Sequence, residues 1–111
     1  MKGVVWGSTY YIASKKLDKV VEDYKTYRIK LLRIVKSKSN YWVEFENGDI
    51  WRACAARESA RGLKANVAYI DHMISPIFID EVIKPCLTAY PFQALHYYWP
   101  EEDNFDDENF I

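Results

Sequence analysis

The dipeptide Asn47-Gly48 constrains this chain more than any other feature, because it separates two β-prone runs, Tyr41–Glu46 and Asp49–Ala55. Asn and Gly tolerate the positive φ angles of a two-residue type I′ turn, so the two runs read as a hairpin. A turn of that length sets Phe45 opposite Ile50, Val43 opposite Arg52 and Tyr41 opposite Cys54. On the other side it sets Glu44 opposite Trp51 and Trp42 opposite Ala53. Both sides carry aromatic residues, so the hairpin is expected to be covered, at least in part, on both faces.

The rest of the chain supplies the layers. Val4 to Trp6 reads as a short buried strand ending at Gly7, and Ser8 or Thr9 can cap a helix by accepting a bond from its first turn. From Tyr10 to about Tyr27, Ala13, Leu17, Val20, Val21 and Tyr24 recur at helical spacing. Lys15, Lys16, Lys19, Glu22, Asp23 and Lys25 fill the opposite face. Leu31–Val35 is the next strand and Ser37-Lys38-Ser39-Asn40 a polar turn. Arg57–Lys64 is a loop or short helix, and Val67–Ile70 an apolar strand ending at Asp71-His72. Pro76 can open a second helix through Phe78, Ile79, Val82 and Ile83, with Pro85 expected to stop it. Leu95–Trp99 reads as a last strand. The fold class is α/β, or α+β: a small sheet with an Asn-Gly hairpin, packed by a long helix in the first half and a shorter one in the second.

At 111 residues this is a single domain, expected over residues 1–100, and 50% hydrophobic with 16% aromatic content excludes disorder for most of its length. Two cysteines 32 positions apart make no disulfide scaffold, which points to a reducing compartment. No charged leader and no run of 18 apolar residues occur, so a cytoplasmic, non-membrane protein is expected.

The formal net charge of −1 hides a division. Residues 1–70 hold 14 of the 15 Lys and Arg against 7 acids, a net of +7; residues 71–111 hold Lys84 against 9 acids, a net of −8. Cations interleaved with aromatics suit nucleic acid, since ammonium and guanidinium groups neutralise phosphates while aromatic faces stack on bases. The candidates are Lys25, Arg28, Lys36, Lys38, Trp42, Trp51, Arg52, Arg57 and Arg61, although a domain this small must bury most of its aromatics. Residues 101–111 form an acidic segment carrying six Asp and Glu, too self-repelling to pack as core, and are expected to be flexible.

Cys54, His72, Cys86 and His96 are scattered singly, which argues against zinc, and no cofactor is expected. Asp71, at a strand end, reads either as the cap of the next turn, the favoured role, or as a vestigial metal ligand.

Three features stand in order between Tyr41 and Leu87: the strand–Asn47-Gly48–strand unit, the segment Glu58-Ser59-Ala60-Arg61-Gly62, and the strand Val67-Ala68-Tyr69-Ile70-Asp71. That order resembles the ATPase domain of phage large terminase subunits, collinear over about residues 4–90. In that family a Walker B strand ends in Asp-Glu, and the strand and helix at Val4–Tyr27 would be those that follow the P-loop. The resemblance implies Val67–Ile70 parallel to Val4–Trp6. The departures bear on function. A P-loop needs Gly-x-x-x-x-Gly-Lys-Ser/Thr, and Gly3–Thr9 lacks both the Lys and the spacing. His72 stands where the water-activating Glu would be. The resemblance therefore implies a P-loop-lacking fragment, not an ATPase.

Residues 104–111 are also similar to the acidic tips of single-stranded-DNA-binding proteins, with Phe105, Asp106, Asp107, Glu108, Phe110 and Ile111 as the candidate partner-binding residues. Two functions are thus expected. The first is a non-catalytic phage or prophage accessory protein in the bacterial host cytoplasm, acting on a protein partner in packaging or host takeover, with a homodimer as a further possibility. The second is a nucleic-acid-binding protein whose acidic tail regulates its basic face.

Overall fold

Val4, Val5 and Trp6 are all buried, and a strand apolar on both sides belongs in the middle of a sheet. The computed structural model describes residues 1–57, 63–87 and, as backbone, 95–98. In it β1 (Lys2–Gly7) occupies the interior of a six-stranded sheet ordered β2-β3-β4-β1-β5-β6. β4 (Ile50–Ala55), β5 (Val67–Ile70) and β6 (Leu95–Tyr98) run parallel to β1 or to one another in that order. β2 (Leu31–Lys36) and β3 (Tyr41–Phe45) extend the sheet as an antiparallel meander from β4. The α/β class holds, and the sheet is mixed.

α1 (Tyr10–Thr26) begins as expected: Thr9 is extended, and its Oγ1 accepts the Ile12 N–H at 3.2 Å. Ala13, Leu17 and Val20 press onto one sheet face, against Val5, Tyr41, Val43, Phe45, Trp51 and Ala53. The end of α1 is bolted to the hairpin. Tyr24 stacks on Phe45 with centroids 3.8 Å apart, donates its hydroxyl proton to Asp49 Oδ2 at 2.6 Å, and accepts Trp51 Nε1–H at 2.8 Å.

On the opposite face Val4, Trp6, Ala68 and Ile70 lie under Ala65, Ile74, Ile79, Val82, Ile83 and Cys86. Those last residues belong mainly to a continuous helical segment: α2 (Pro76–Phe78), a π-helical turn (Ile79–Ile83) and α3 (Lys84–Cys86). Pro85 does not stop this segment, contrary to expectation. The π turn carries the Lys84 N–H to Ile79 O, and this widening of the backbone just before Pro85 accommodates a residue that has no N–H to donate.

The hairpin departs from the expected register. Trp42 faces Arg52, Val43 faces Trp51 and Glu44 faces Ile50. The turn has three residues, Glu46-Asn47-Gly48: Phe45 N–H donates to Asp49 O at 2.9 Å, Gly48 N–H donates to Phe45 O at 3.0 Å, and Gly48 has φ +94°. A type I turn followed by a left-handed Gly produces this loop, so only the glycine needs a positive φ. The Asx contact Asp49 N–H to Asn47 Oδ1 (3.0 Å) and the Tyr24–Asp49 bond hold the longer turn. A one-residue shift moves one strand's side chains to the other face. Trp51 therefore joins the core beneath α1 instead of sharing a face with Trp42. On the other face the hairpin is covered in part: Cys54 packs against the cluster of Val4, Trp6 and Ile79, and Trp42, Glu44 and Ile50 are half-buried, while among the described residues the helical segment lies over β1 and β5.

Candidate functional site

In an open α/β sheet, ligand crevices form at the carboxyl ends of the strands where successive connections leave on opposite faces. Here β1 leads to α1 on one face, while the connections after β4 and β5 place Ala65 and Ile74 on the other. The crevice therefore lies at the ends of β1, β4 and β5.

Asp71 sits in this region, 2% exposed, with its N–H donating to Trp6 O at 2.9 Å. The turn after it is closed by the backbone, Ile74 N–H to Asp71 O at 3.1 Å. Asp71 Oδ1 lies 3.4 Å from His72 Nδ1, and Oδ2 has no hydrogen-bond partner among the described residues. An orphaned carboxylate oxygen could take a cation, and Mg²⁺ is commonly held by one or two carboxylates together with waters and phosphates. Among the described residues no group of three or more His, Cys, Asp or Glu is gathered for a metal.

The more extensive feature lies beside it. Two adjoining hollows of about 360 and 470 Å³ share Arg52 and Leu63. The first, at the carboxyl end of β4, is lined by Tyr10, Lys38, Ser39, Asn40, Arg57 and residues 52–55 of β4, with Leu63. The second continues across the sheet over Lys2, Gly3, Val4, Trp42, Ile50 and Lys64. Together they form a trough with five cations, Lys2, Lys38, Arg52, Arg57 and Lys64, and no acid among its described lining residues.

Local structure positions these groups. Arg52 Nη1 donates to Asn40 Oδ1 at 3.2 Å, fixing the guanidinium beside half-buried Trp42, its cross-strand partner. The turn bearing Lys38 is tightened by Ser37 Oγ, which accepts the Asn40 N–H at 3.1 Å, and is tied to α1 by Tyr10 Oη donating to Ser37 O at 2.8 Å. Asn66 clamps the backbone of Lys2, accepting its N–H at 2.8 Å and donating its own N–H to Lys2 O at 2.7 Å. Glu44, on the same side of β3 as Trp42, is engaged by Arg33 at 3.0 Å. Burial pushes the Cys54 thiol above its usual range, so it stays neutral there.

Of the cations and aromatics expected to meet nucleic acid, Lys38, Trp42, Arg52 and Arg57 come together in this trough. Lys36 points to the α1 side, 2.9 Å from Asp18 Oδ1 and over the Tyr41 ring. Lys25 and Arg28 sit with Lys30 at a separate groove of about 550 Å³ between α1 and β2, floored by Val21, Ile29, Leu31 and Phe45. Trp51 is a correction: it is 2% exposed, its indole faces Tyr24 and Tyr69, and it offers no face to a base. Arg61 and the candidate partner residues Phe105, Asp106, Asp107, Glu108, Phe110 and Ile111 lie outside the described residues. Sequence reasoning missed Lys2 and Lys64. Lys2 was recoverable, since it shares alternation with Val4 and Trp6, whereas Lys64 is brought in only by the crossover from β4 to β5.

No family model and no curated protein matches this chain. Among solved structures it is similar to the large terminase of a thermophilic bacteriophage, at 10% identity and a TM-score of 0.60, over 97% of this chain and 31% of that one. The likeness is one of fold, and the chain spans about a third of that protein's length. It agrees with the parallel pairing of β1 and β5, Gly3 to Trp6 against Val67 to Ile70, that the terminase resemblance implies. What the fold and the trough define is therefore an α/β domain with a mixed sheet and a basic trough among its described residues. Among the described residues no helix is long and apolar enough to cross a membrane.

Proposed function

We propose that this chain is a phage-related, terminase-like protein that works by binding, and that its ligand is single-stranded nucleic acid laid along the trough. The observation that carries the reading is the convergence of Lys2, Lys38, Arg52, Arg57 and Lys64 around half-buried Trp42, without an acid among the described lining residues. Phosphates would meet the cations while an unpaired base stacks on Trp42. A binding role suits a sequence that contains no Gly-x-x-x-x-Gly-Lys-Ser/Thr run and that places His72 after Asp71.

Fluorescence anisotropy with a labelled oligonucleotide tests this. The affinity should fall linearly with salt on a log–log plot, and each cation removed should lower the slope by about 0.7. Arg52→Glu should abolish measurable binding at moderate salt, and Trp42→Ala should weaken it about 5- to 150-fold, by roughly 1–3 kcal/mol. Unchanged affinity in both variants refutes the reading.

A second reading, a protein partner in packaging or host takeover, keeps one observation in its favour. Leu31, Leu32, Ile34 and Val35 are between 38% and 58% exposed on the outermost strand of the sheet. An apolar strand of that kind is a surface on which another chain can lie.

A further inference from the structure

We infer that β2 is a self-association strand, on which a second copy of this chain pairs antiparallel across a twofold axis at Val35. The inference is independent of the nucleic-acid reading.

β2 stands at the end of the strand order and all six of its residues are exposed. An edge strand offers its outward N–H and C=O groups as a template for pairing. Their identity follows from the hairpin. Ser37 N–H donates to Asn40 O at 2.8 Å, which makes Ser37 and Asn40 a hydrogen-bonded pair. Alternation along an antiparallel ladder then turns Val35 and Arg33 inward to β3, and directs the N–H and C=O of Ile34 and Lys36 outward. The register shifts between Leu31 and Arg33, so the regular stretch available to a partner begins at Arg33.

Edges of this kind are ordinarily guarded by free charges. Here both charges of the strand are occupied by the chain's own acids: Arg33 meets Glu44 at 3.0 Å and Lys36 meets Asp18 at 2.9 Å. The apolar groups remain exposed, Ile34 at 50% and Val35 at 38%.

Self-complementarity selects a second copy as the occupant. With the axis at Val35, Ile34 pairs with Lys36 of the other copy and the two exchange backbone hydrogen bonds on each side of the axis. Val35 meets Val35, and Arg33 meets Ser37. No like charges stand directly opposite one another, and the two Lys36 residues, which lie diagonally across the axis, are each paired with Asp18 of their own copy. One strand pair buries less than the roughly 1,200 Å² of a standard stable interface, so a weak, concentration-dependent dimer is expected.

Sedimentation velocity of the full chain without nucleic acid, from low to high micromolar, should show a monomer passing to a dimer. Val35→Lys and Val35→Glu each place like charges on the axis and should each remain monomeric, with circular dichroism and melting unchanged. Mixing the two variants should restore the dimer as a heterodimer, a rescue that misfolding cannot produce. Amide exchange should show protection at Ile34 and Lys36 that grows with protein concentration. A wild-type monomer throughout, or dimers that survive both substitutions, would overturn the inference. Protection of those amides at monomeric concentrations would also overturn it, by assigning the strand to another segment of the same chain.

Discussion

Replacing Tyr24 with Phe removes one oxygen from a junction that joins helix, hairpin and sheet. The ring would stay stacked on Phe45, so packing is preserved and the change isolates the hydroxyl. That hydroxyl is the acceptor of Trp51 Nε1–H at 2.8 Å, and Trp51 is 2% exposed, so its donor would be left buried and unpaired. An unsatisfied buried donor costs about 1–3 kcal/mol. On the other side of the hydroxyl, Asp49 is better placed: its Oδ2 keeps the Asn47 Nδ2 bond at 3.0 Å, and Oδ1 keeps the N-terminal ammonium at 3.5 Å. The net loss should therefore be about 1–2.5 kcal/mol, set by the indole and not by the carboxylate. For a domain of this size that lowers the melting temperature by roughly 4–10 °C. Urea unfolding followed by Trp fluorescence measures the free energy, and circular dichroism measures the melting point. A loss below about 0.5 kcal/mol would refute the reasoning, because it would mean that Trp51 finds another acceptor or water on its own.

The same hydroxyls predict alkaline behaviour. Burial first, then the hydrogen bonds to Asp49 and Asp18, push the Tyr24 and Tyr41 phenols well above their usual value of 10.0. The folded chain keeps protons that the unfolded chain releases above about pH 10, so stability should be full below that pH and decline above it. Tyr24→Phe should flatten that decline in melting curves taken at rising pH, and an unchanged slope would count against the assignment. At Gly3, an added Cβ would collide with the Trp51 ring, which Tyr24 and Tyr69 hold in place. Gly3→Ala should cost about 1–3 kcal/mol of overpacking by urea titration; a neutral result would show that the ring can tilt away.

The elements were largely legible, because each is written in local chemistry. Thr9 followed by Ala13, Leu17 and Val20 specifies a capped helix with one apolar face. The consecutive apolar residues of Val4–Trp6 and Val67–Ile70 specify strands buried on both sides. The parallel pairing of those two strands is what the terminase resemblance implied, and the sheet has it. The errors were errors of one residue or one turn. Asn47-Gly48 marked the hairpin but not its loop length, because Asp49 is recruited by Tyr24, 25 positions away, and no local pattern reports that bond. Pro85 looked like a helix stop because the widening to a π turn depends on how Ile79, Val82 and Ile83 pack beneath it.

The candidate site was half legible. Lys38, Trp42, Arg52 and Arg57 were visible as cations among aromatics, but so were Lys25, Arg28 and Trp51, and nothing in spacing separated the two groups. Trp42 and Trp51 lie on opposite faces of one hairpin because of a single-residue register shift, and only the former can meet a ligand.

By itself, the sequence determined what period-two and helical patterns can encode: an α/β domain, its strands and long helix, and a charge divided between its two parts. Tertiary structure decided which strand lies at the edge, where the helical cover ends, and which cations converge. These are relations between residues far apart in the chain, and side-chain packing and crossover connections set them where no local preference could.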